Sequence, residues 1–382
     1  MEPNYEVNLY LNGQLIGDVR ELAQSLKWVR RRTKVGADEI DFTLNDVLFD
    51  KWCQERHTTI NDMIKPMALE CKIKRNGTDI LGGFLATMPG YQPRGSSADL
   101  QMRFDGYLNL LAGVYIYNNS TKLPVGTVSG NLQSLINTYI TMANNRSAAA
   151  GKGYGLVYHT GSNLASVTHT FDNYKAVKEF ICDRCDNTEG AGPFDVIFYS
   201  DKTYDIWAQG AYGDTITDWV ARYPASIDRP SAMSISADEV QGFASSVIAL
   251  GSGEVSANAD ENTAIKAFTQ NNSKVSEYGY FETLIQESSI AQQTTLNQKA
   301  ATELAIDSKI IWEPKITLSG RQIAPVPSGS NKIWLCDIIT IENTEDLTGM
   351  TNGQFRVNEL SVSVSANGAE TITPVLERVN GA

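Results

Sequence analysis

Three Asn-Gly pairs, Asn12-Gly13, Asn76-Gly77 and Asn367-Gly368, each lie between short stretches in which apolar and polar residues alternate. Asn and Gly accept the left-handed backbone of a tight hairpin turn, and alternation turns one face of each flanking strand toward a core. The pattern therefore calls for antiparallel β-structure at both ends of the chain. Before the first pair, Val7, Leu9 and Leu11 alternate; before the second, Leu69, Cys71 and Ile73 alternate with Glu70, Lys72 and Lys74. Gly82-Gly83, inside the return strand, predicts a bulge or a close backbone approach. Ile40, Phe42 and Leu44, then Leu100, Met102 and Phe104, mark two further strands, and "GYLNLLAG" reads as a short helix closing the unit.

The middle of the chain changes period. Leu132, Leu135, Ile136, Tyr139 and Ile140 recur at helical spacing behind a cap at Gly130-Asn131, and Tyr174, Val177, Phe180 and Ile181 repeat the pattern after Asp172 or Asn173. "FDVIFYSDKTYDIWAQ" reads as strand, turn at Ser200-Asp201-Lys202, strand. Beyond it, "MSISADEVQGFASSVIALGSGE" and "EYGYFETLIQES" read as β, Leu296, Ala300, Leu304 and Ala305 as one face of a helix, and "KITLSG", "IWLCDIITIENT" and the last hairpin as β again. The expected fold class is mainly β with an α+β insertion: two related β-barrel-like domains plus a small α/β domain. The expected division is a first β unit at 1–122, an α/β insertion at 123–210, and a second β unit with an intervening helix at 211–382. Two similar β units around an insertion point to a duplication.

Chemistry-bearing motifs are sparse. Only three histidines occur, His57, His159 and His169, and no HExxH. "AAAGKGYG" lacks the upstream glycine and the following Ser or Thr of a phosphate loop. "GTVSG" places its serine one position late for a nucleophile elbow. Cys182 and Cys185 form a CxxC, but no second pair completes a zinc set, and the motif falls at the C-terminal end of its helix rather than at the N-terminus that activates a thiol. We read the two as structural thiols. The five scattered cysteines do not form a disulfide framework, the N-terminus shows no apolar leader, and no run approaches the ~18 apolar residues of a spanning helix. No catalytic residue, metal or cofactor is expected, nor a membrane anchor.

One stretch resists this bland picture. In a chain of net charge −12, "SLKWVRRRTKVGADEIDFTL" carries Lys27, Arg30, Arg31, Arg32 and Lys34 beside a core strand. On a strand, Leu26, Trp28, Arg30 and Arg32 share one face, with Lys27, Val29, Arg31 and Thr33 on the other. Three readings stand: a solvated strand, a subunit edge meeting carboxylates of a neighbouring copy, and a phosphate contact, which the overall acidity disfavours.

Taken in order, the segments resemble the phage tail hub family, the baseplate hub of contractile phages and the tail-tip hub of siphophages. "SLKWVRRRTKVGADEIDFTL" is similar to its opening segment, "LECKIKRNGTDILGGFLATM" to the following hairpin, and "FDGYLNLLAGVYI" to the closure of its first barrel. "SSVIALGSGE", "EYGYFETLIQESSI", "LNQKAATELA" and "LCDIITI" resemble its second barrel. The family usually has Gly-Asp where this chain has Cys336-Asp337. The resemblance implies a structural virion protein without enzymatic activity. It implies a homotrimer whose paired β domains build a pseudo-six-fold ring at the distal end of the tail, joining the tail tube to the tip. Distal tail or tube proteins, a tape measure protein and a tip or spike protein are the implied partners. It implies too that genome DNA passes through without specific binding, past a lumen expected to be acidic. Synthesis in the host cytoplasm and a place in the tail tip of the virion are implied as well. Trp28, Arg30, Arg31 and Arg32 are then the candidate subunit-interface residues, and replacing the three arginines with glutamate is expected to impair assembly of a still-folded subunit. A second reading is a carbohydrate- or receptor-binding tail module, since the chain has 6 Trp, 16 Tyr and 12 Phe, several of them in "DIWAQGAYGDTITDW". A cell-wall hydrolase is disfavoured because the chain ends at Ala382, directly after the second β unit, where hydrolytic hubs append a domain.

Overall fold

The computed structural model describes residues 3–94, 97–151, 153–171, 173–185, 193–224, 232–239, 243–253, 263–288, 290–308, 312–345 and 352–379. It is mainly β with a few helices. The chain forms two compact units, one from 1–236 with 314–382, the other from 237–313.

In the first unit, the N-terminal strands are β1 (Tyr5–Leu11), β2 (Gln14–Asp18), β3 (Ala23–Arg31), β4 (Glu39–Asn45), β5 (Leu69–Arg75), β6 (Thr78–Leu85), β7 (Gly90–Arg94) and β8 (Ser97–Gly106). Asn12 and Gly13 turn β1 into β2 with φ of 51° and 81°, and Asn76 and Gly77 turn β5 into β6 with φ of 50° and 79°. Both are left-handed pairs, as the sequence predicts. Gly36, at φ 139°, lies in the turn from β3 to β4. Gly82 and Gly83 serve close approach: a Cβ on Gly83 would stand 2.7 Å from the Asp105 carbonyl oxygen, and one on Gly82 would stand 3.1 Å from the Ser200 Cα. The hairpin also carries a register shift: Ile73 faces Leu81 and Lys74 faces Asp79, so the extra residue is Ile80 on the return strand, two positions before Gly82.

Two helices escaped the sequence reading. α1 (Asp46–Gln54) is capped by Asn45, whose side chain accepts from the Leu48 N–H, and it buries Phe49, Trp52 and Cys53. α2 (Ile60–Met63) is capped by Thr59. The segment "GYLNLLAG" forms a single 3-10 turn at Tyr107–Leu111.

The next stretch holds β9 (Tyr115–Ile116), β10 (Gly126–Asn131), α3 (Leu132–Ala149), β11 (Val157–Gly161), β12 (Ser166–Phe171), β13 (Lys175–Ala176), α4 (Val177–Cys185), β14 (Phe194–Phe198) and β15 (Thr203–Ala208). Asn131 caps α3 by accepting from the Ser134 N–H. α4 begins later than anticipated, so Tyr174 lies outside it and is exposed. β15 pairs antiparallel with β14 and parallel with β11. These elements share a core with the 3-10 turn: Leu110, Ile136, Ile140, Phe180, Ile181 and Phe194 are among its buried members.

The chain then adds β16 (Ala221–Tyr223) and β17 (Ala232–Glu239). In the second unit, β18 (Ser246–Leu250), β19 (Lys266–Gln270) and β20 (Glu282–Gln286) form a sheet in the order β19-β18-β20. Where "EYGYFETLIQES" was expected to be strand throughout, its start belongs to α5 (Asn272–Tyr278), capped by Asn271, and the strand begins only at Glu282. α6 (Gln293–Asp307) covers this sheet with Leu296, Ala300 and Leu304. Ala305 is exposed, because it lies half a turn round the helix from Leu296.

Back in the first unit, β21 (Trp312–Ser319), β22 (Ile338–Asn343), β23 (Gly353–Val364) and β24 (Glu370–Arg378) complete the chain. The principal sheet runs β17-β21-β24-β23-β3-β4-β8-β6-β5-β1-β2, with β22 beside β23, β16 beside β22 and β7 beside β8. Its middle seam joins the two ends of the sequence: β23 pairs antiparallel with β3, setting Val362 opposite Trp28 and Leu360 opposite Arg30.

His169 of β12 packs edge-on against Phe171, with ring centroids 4.4 Å apart, and contacts Arg184. Burial and then the Arg184 charge lower its pKa from 6.5 to about 4. The unfolded chain therefore takes up this proton first, so stability falls as the pH drops from about 6.5 toward 4, by ~1–2 kcal/mol after solvent screening at this half-buried ring. Urea denaturation across that range should show the decline, and His169→Phe should flatten it.

Candidate functional site

β3 carries the basic run into the middle of the sheet, with Leu26, Trp28 and Arg30 alternating onto the buried face. Trp28 is fully buried; its Nε1 donates to the Tyr5 hydroxyl at 3.4 Å. Tyr5 in turn donates to Glu370, which also accepts two bonds from Arg75 at 2.6 and 2.8 Å.

Arg30 is 2% exposed. Its terminal nitrogens donate to the carbonyls of Ile80 (2.8 Å) and Phe198 (3.0 Å), its Nε lies 3.3 Å from Asp38, and its guanidinium stacks over Trp334 at 5.3 Å. Burial raises the Asp38 carboxyl, against the pull of Arg30 and of the Arg31 N–H. Arg32 is equally enclosed: Nε donates to both oxygens of Asp195 (3.0 and 3.1 Å), and Nη1 donates to Asn358 (2.9 Å) and Glu377 (3.2 Å). Burial opposes the Arg32 cation, yet Asp195 and Glu377 hold its pKa above the ordinary value. Thr33 extends the seam by exchanging bonds with both backbone groups of Val196. Arg31 points the other way, is partly exposed, and bridges Glu359 (2.7 Å) and Glu39 (3.1 Å).

All four anticipated interface residues are thus brought together, and the carboxylates that meet the arginines come from this chain. Asp38 and Glu39 belong to the first β segment, Asp195 to β14, and Glu359 and Glu377 to the last hairpin. Sequence reasoning found the arginines but missed Asp195, Asn358 and Glu377, which lie 163 to 345 positions away in the chain and have no local signature.

The opposite face of the same strands is polar. One cross-strand row reads Thr371, Ser363, Lys27, Asp41, Arg103; the next reads Thr373, Ser361, Val29, Glu39, Asp105. A groove of about 410 Å³ lies over the first row, bordered by Ser25, Thr43, Gln101 and Met88. Burial and the neighbouring Glu39 raise the Asp41 carboxyl, while Arg103 and Lys27 pull it down.

Cys185 donates its thiol hydrogen to the Cys182 carbonyl, and burial raises the Cys182 thiol. No cluster of three or more metal-ligating side chains occurs among the described residues. Of the aromatic stretch, Trp219 is buried and donates to the Lys332 carbonyl, whereas Trp207 stacks with Tyr212 at 6.5 Å.

No family model matches the chain, and no curated protein does. Solved structures do. The 43 kDa tail protein of prophage MuSo2 from Shewanella oneidensis aligns over 98% of both chains at 11% identity and a TM-score of 0.62. The tail protein from Neisseria meningitidis MC58 aligns over 98% of this chain and 97% of its own at 12% identity and 0.60. The prophage tail protein gp18 from Listeria monocytogenes EGD-e covers 98% and 95% at 10% identity and 0.54.

The fold is that of phage tail proteins. The resemblance seen in the ordered segments therefore holds at the level of fold, nearly end to end. Within this tail-protein fold, Cys336 occupies a left-handed position with φ 67°, which accounts for the glycine usual at that place in the hub family. The following Asp337 accepts from the N–H groups of Trp334 and Asp214, both at 2.8 Å, and burial raises its pKa to about 6.

The arginine seam generates a prediction. Removing one member of a buried ion pair leaves its partner charge stranded, at roughly 3–5 kcal/mol. Arg32→Ala should lower the urea midpoint accordingly, while Arg103→Ala, at an exposed position, should cost under ~1 kcal/mol. Replacing Arg30, Arg31 and Arg32 with glutamate sets new carboxylates against Asp38, Glu359 and Asp195, so the subunit should fail to fold, in place of the folded but assembly-deficient subunit expected from sequence.

Proposed function

We propose that the protein is a structural component of a phage tail, without catalytic activity of its own, and that three copies close into a hub ring at the distal end of the tail tube. The observation that carries the reading is the end-to-end fold match to three phage tail proteins. The polar sheet face supports it. β24, β23, β3, β4 and β8 bring strands from both ends of the sequence into one hydroxyl-rich and charged surface. Such a surface suits the wall of an aqueous passage, and in the ring reading it faces the lumen. Its charges compensate one another: Lys27, Arg31 and Arg103 stand among Glu39, Asp41, Asp105 and Glu359. A wall of this kind holds DNA by neither a basic groove nor strong repulsion, which refines the acidic lumen expected from the resemblance. Distal tail, tape measure and spike proteins are the proposed neighbours, and the virion tail the proposed location. No helix among the described residues is long and apolar enough to cross a membrane.

Native mass spectrometry tests the stoichiometry. The 41.9 kDa chain should give a species of about 126 kDa, three times the monomer. Electron microscopy of that species should show a ring with an open centre. A protein that stays monomeric at all concentrations, and gives no ring density in particles that contain it, would sink the proposal.

A further inference from the structure

Behind the arginine seam, on the first unit, lies a cavity of very limited size. β3, the turn from β3 to β4, and β14 surround it, and it leaves about 10 Å³ for the centre of a water-sized molecule. A single water needs roughly 10–15 Å³ by that measure. Gly36 and Ala37 of the turn and Val196 and Phe198 of β14 form much of its wall, and Arg30 and Asp38 bring charge to it. Arg31 also borders it, but its guanidinium is spent on Ala37, Glu39 and Glu359.

Two polar atoms on this wall are left over. Arg30 Nη1 and Nη2 donate to the Ile80 and Phe198 carbonyls, whereas its buried Nε–H meets no acceptor in hydrogen-bonding geometry among the described residues. Asp38 shows the converse. Its Oδ1 accepts from the Arg31 N–H at 2.7 Å, and its Oδ2 takes no hydrogen bond from the described residues. Oδ2 lies 3.3 Å from Arg30 Nε, close enough to attract the charge, yet the Nε–H does not point at it. A buried donor left in this way is costly, and folded proteins supply its partner as an ordered water where no protein atom does so.

The two charges also select the occupant. Arg30 disfavours a cation, Asp38 disfavours an anion, and the space excludes anything much larger than water. What remains is a neutral molecule that both accepts from Nε–H and donates to a carboxylate oxygen. We propose that this cavity is a binding site for one ordered water, which accepts from Arg30 Nε and donates to Asp38 Oδ2. The water turns a misaligned ion pair into two aligned, charge-assisted hydrogen bonds. It thereby joins the β3–β4 turn to the seam that already holds β3 against β6 and β14. The site does not depend on the ring reading, since every residue in it belongs to one chain.

A crystal structure of the full chain, at a resolution that shows ordered waters, tests the assignment. One peak should stand within about 3.2 Å of both Arg30 Nε and Asp38 Oδ2. A second crystal soaked in sodium bromide separates water from a small anion, and it should show no anomalous peak at this position. The proposal is overturned by a bromide peak in the cavity or by the absence of any peak there. It is overturned equally if the Asp38 carboxylate is turned to accept the Nε–H directly, because the pair then needs no bridge.

Discussion

Everything in the first unit depends on placing two arginines where water cannot reach them. Arg30 and Arg32 carry full charges into the interior, which is tolerable only if carbonyls and carboxylates are already arranged around them. Ile80 comes from β6, Phe198 and Asp195 from β14, and Asn358 and Glu377 from the last hairpin. The three sequence regions are thereby held in one arrangement, because any shift of β14 or β23 against β3 strands a charge. Such networks add less to net stability than apolar packing of the same volume would, but they penalise alternatives steeply. For a sheet assembled from the two ends of a chain, where slippage by one residue reverses every side chain, that penalty fixes the register.

What could be read from the sequence, and what could not, follows from the range of the forces. The turns at Asn12-Gly13 and Asn76-Gly77, the cap at Asn131 and the apolar face of α4 are decided by neighbours within a few residues. α1 had comparable signals, an Asn45 cap with Phe49, Trp52 and Cys53 at helical spacing. The strand alternation on either side, through Ile40, Phe42 and Leu44 and through Leu69, Cys71 and Ile73, masks it. The start of α5 was misread for a different reason: Val275, Tyr278 and Tyr280 are as compatible with a strand as with a helix, and the Asn271 cap decides between them. The partners of the basic run were out of reach in principle. A run of arginines announces that carboxylates are needed, but whether Asp195 and Glu377 of the same chain or those of another supply them is settled only by the pairing of β3 with β23.

The two sides of that pairing also separate stability from display. On the buried side, Trp28, Ile40, Phe104, Val362 and Ile372 form core. On the other side, the same strands present serine, threonine and compensated charge. Alternation makes this division automatic once the register is fixed, so the arginine seam sets which residues the polar face displays without itself being part of that face. Arg31 is the exception, since it belongs to both. Its bond to the backbone of Ala37 braces the β3–β4 turn, while Glu39 and Glu359 tie it to strands on either side.

That 10–12% identity suffices to keep the fold over 98% of the chain is understandable if a few backbone positions carry most of the constraint. In this chain Gly213 is a position with no room for a side chain: an added Cβ would stand 2.4 Å from the Cys336 carbonyl. Cys336 is the other half of the same contact, bent into a left-handed conformation that costs a non-glycine residue about 1 kcal/mol. The loop keeps that bend because Asp337 ties the Trp334 and Asp214 N–H groups together and Lys332 stands 3.5 Å from its carboxylate. The thiol is then pressed toward Asp195, the partner of Arg32, at 3.9 Å, where burial and the carboxylate raise its pKa to about 12. A glycine in this place would relieve the backbone but leave the Arg32–Asp195 pair less well enclosed. The cysteine accepts backbone strain in exchange for closing the pocket around the buried ions, which links this departure from the hub pattern to the seam on which the sheet depends.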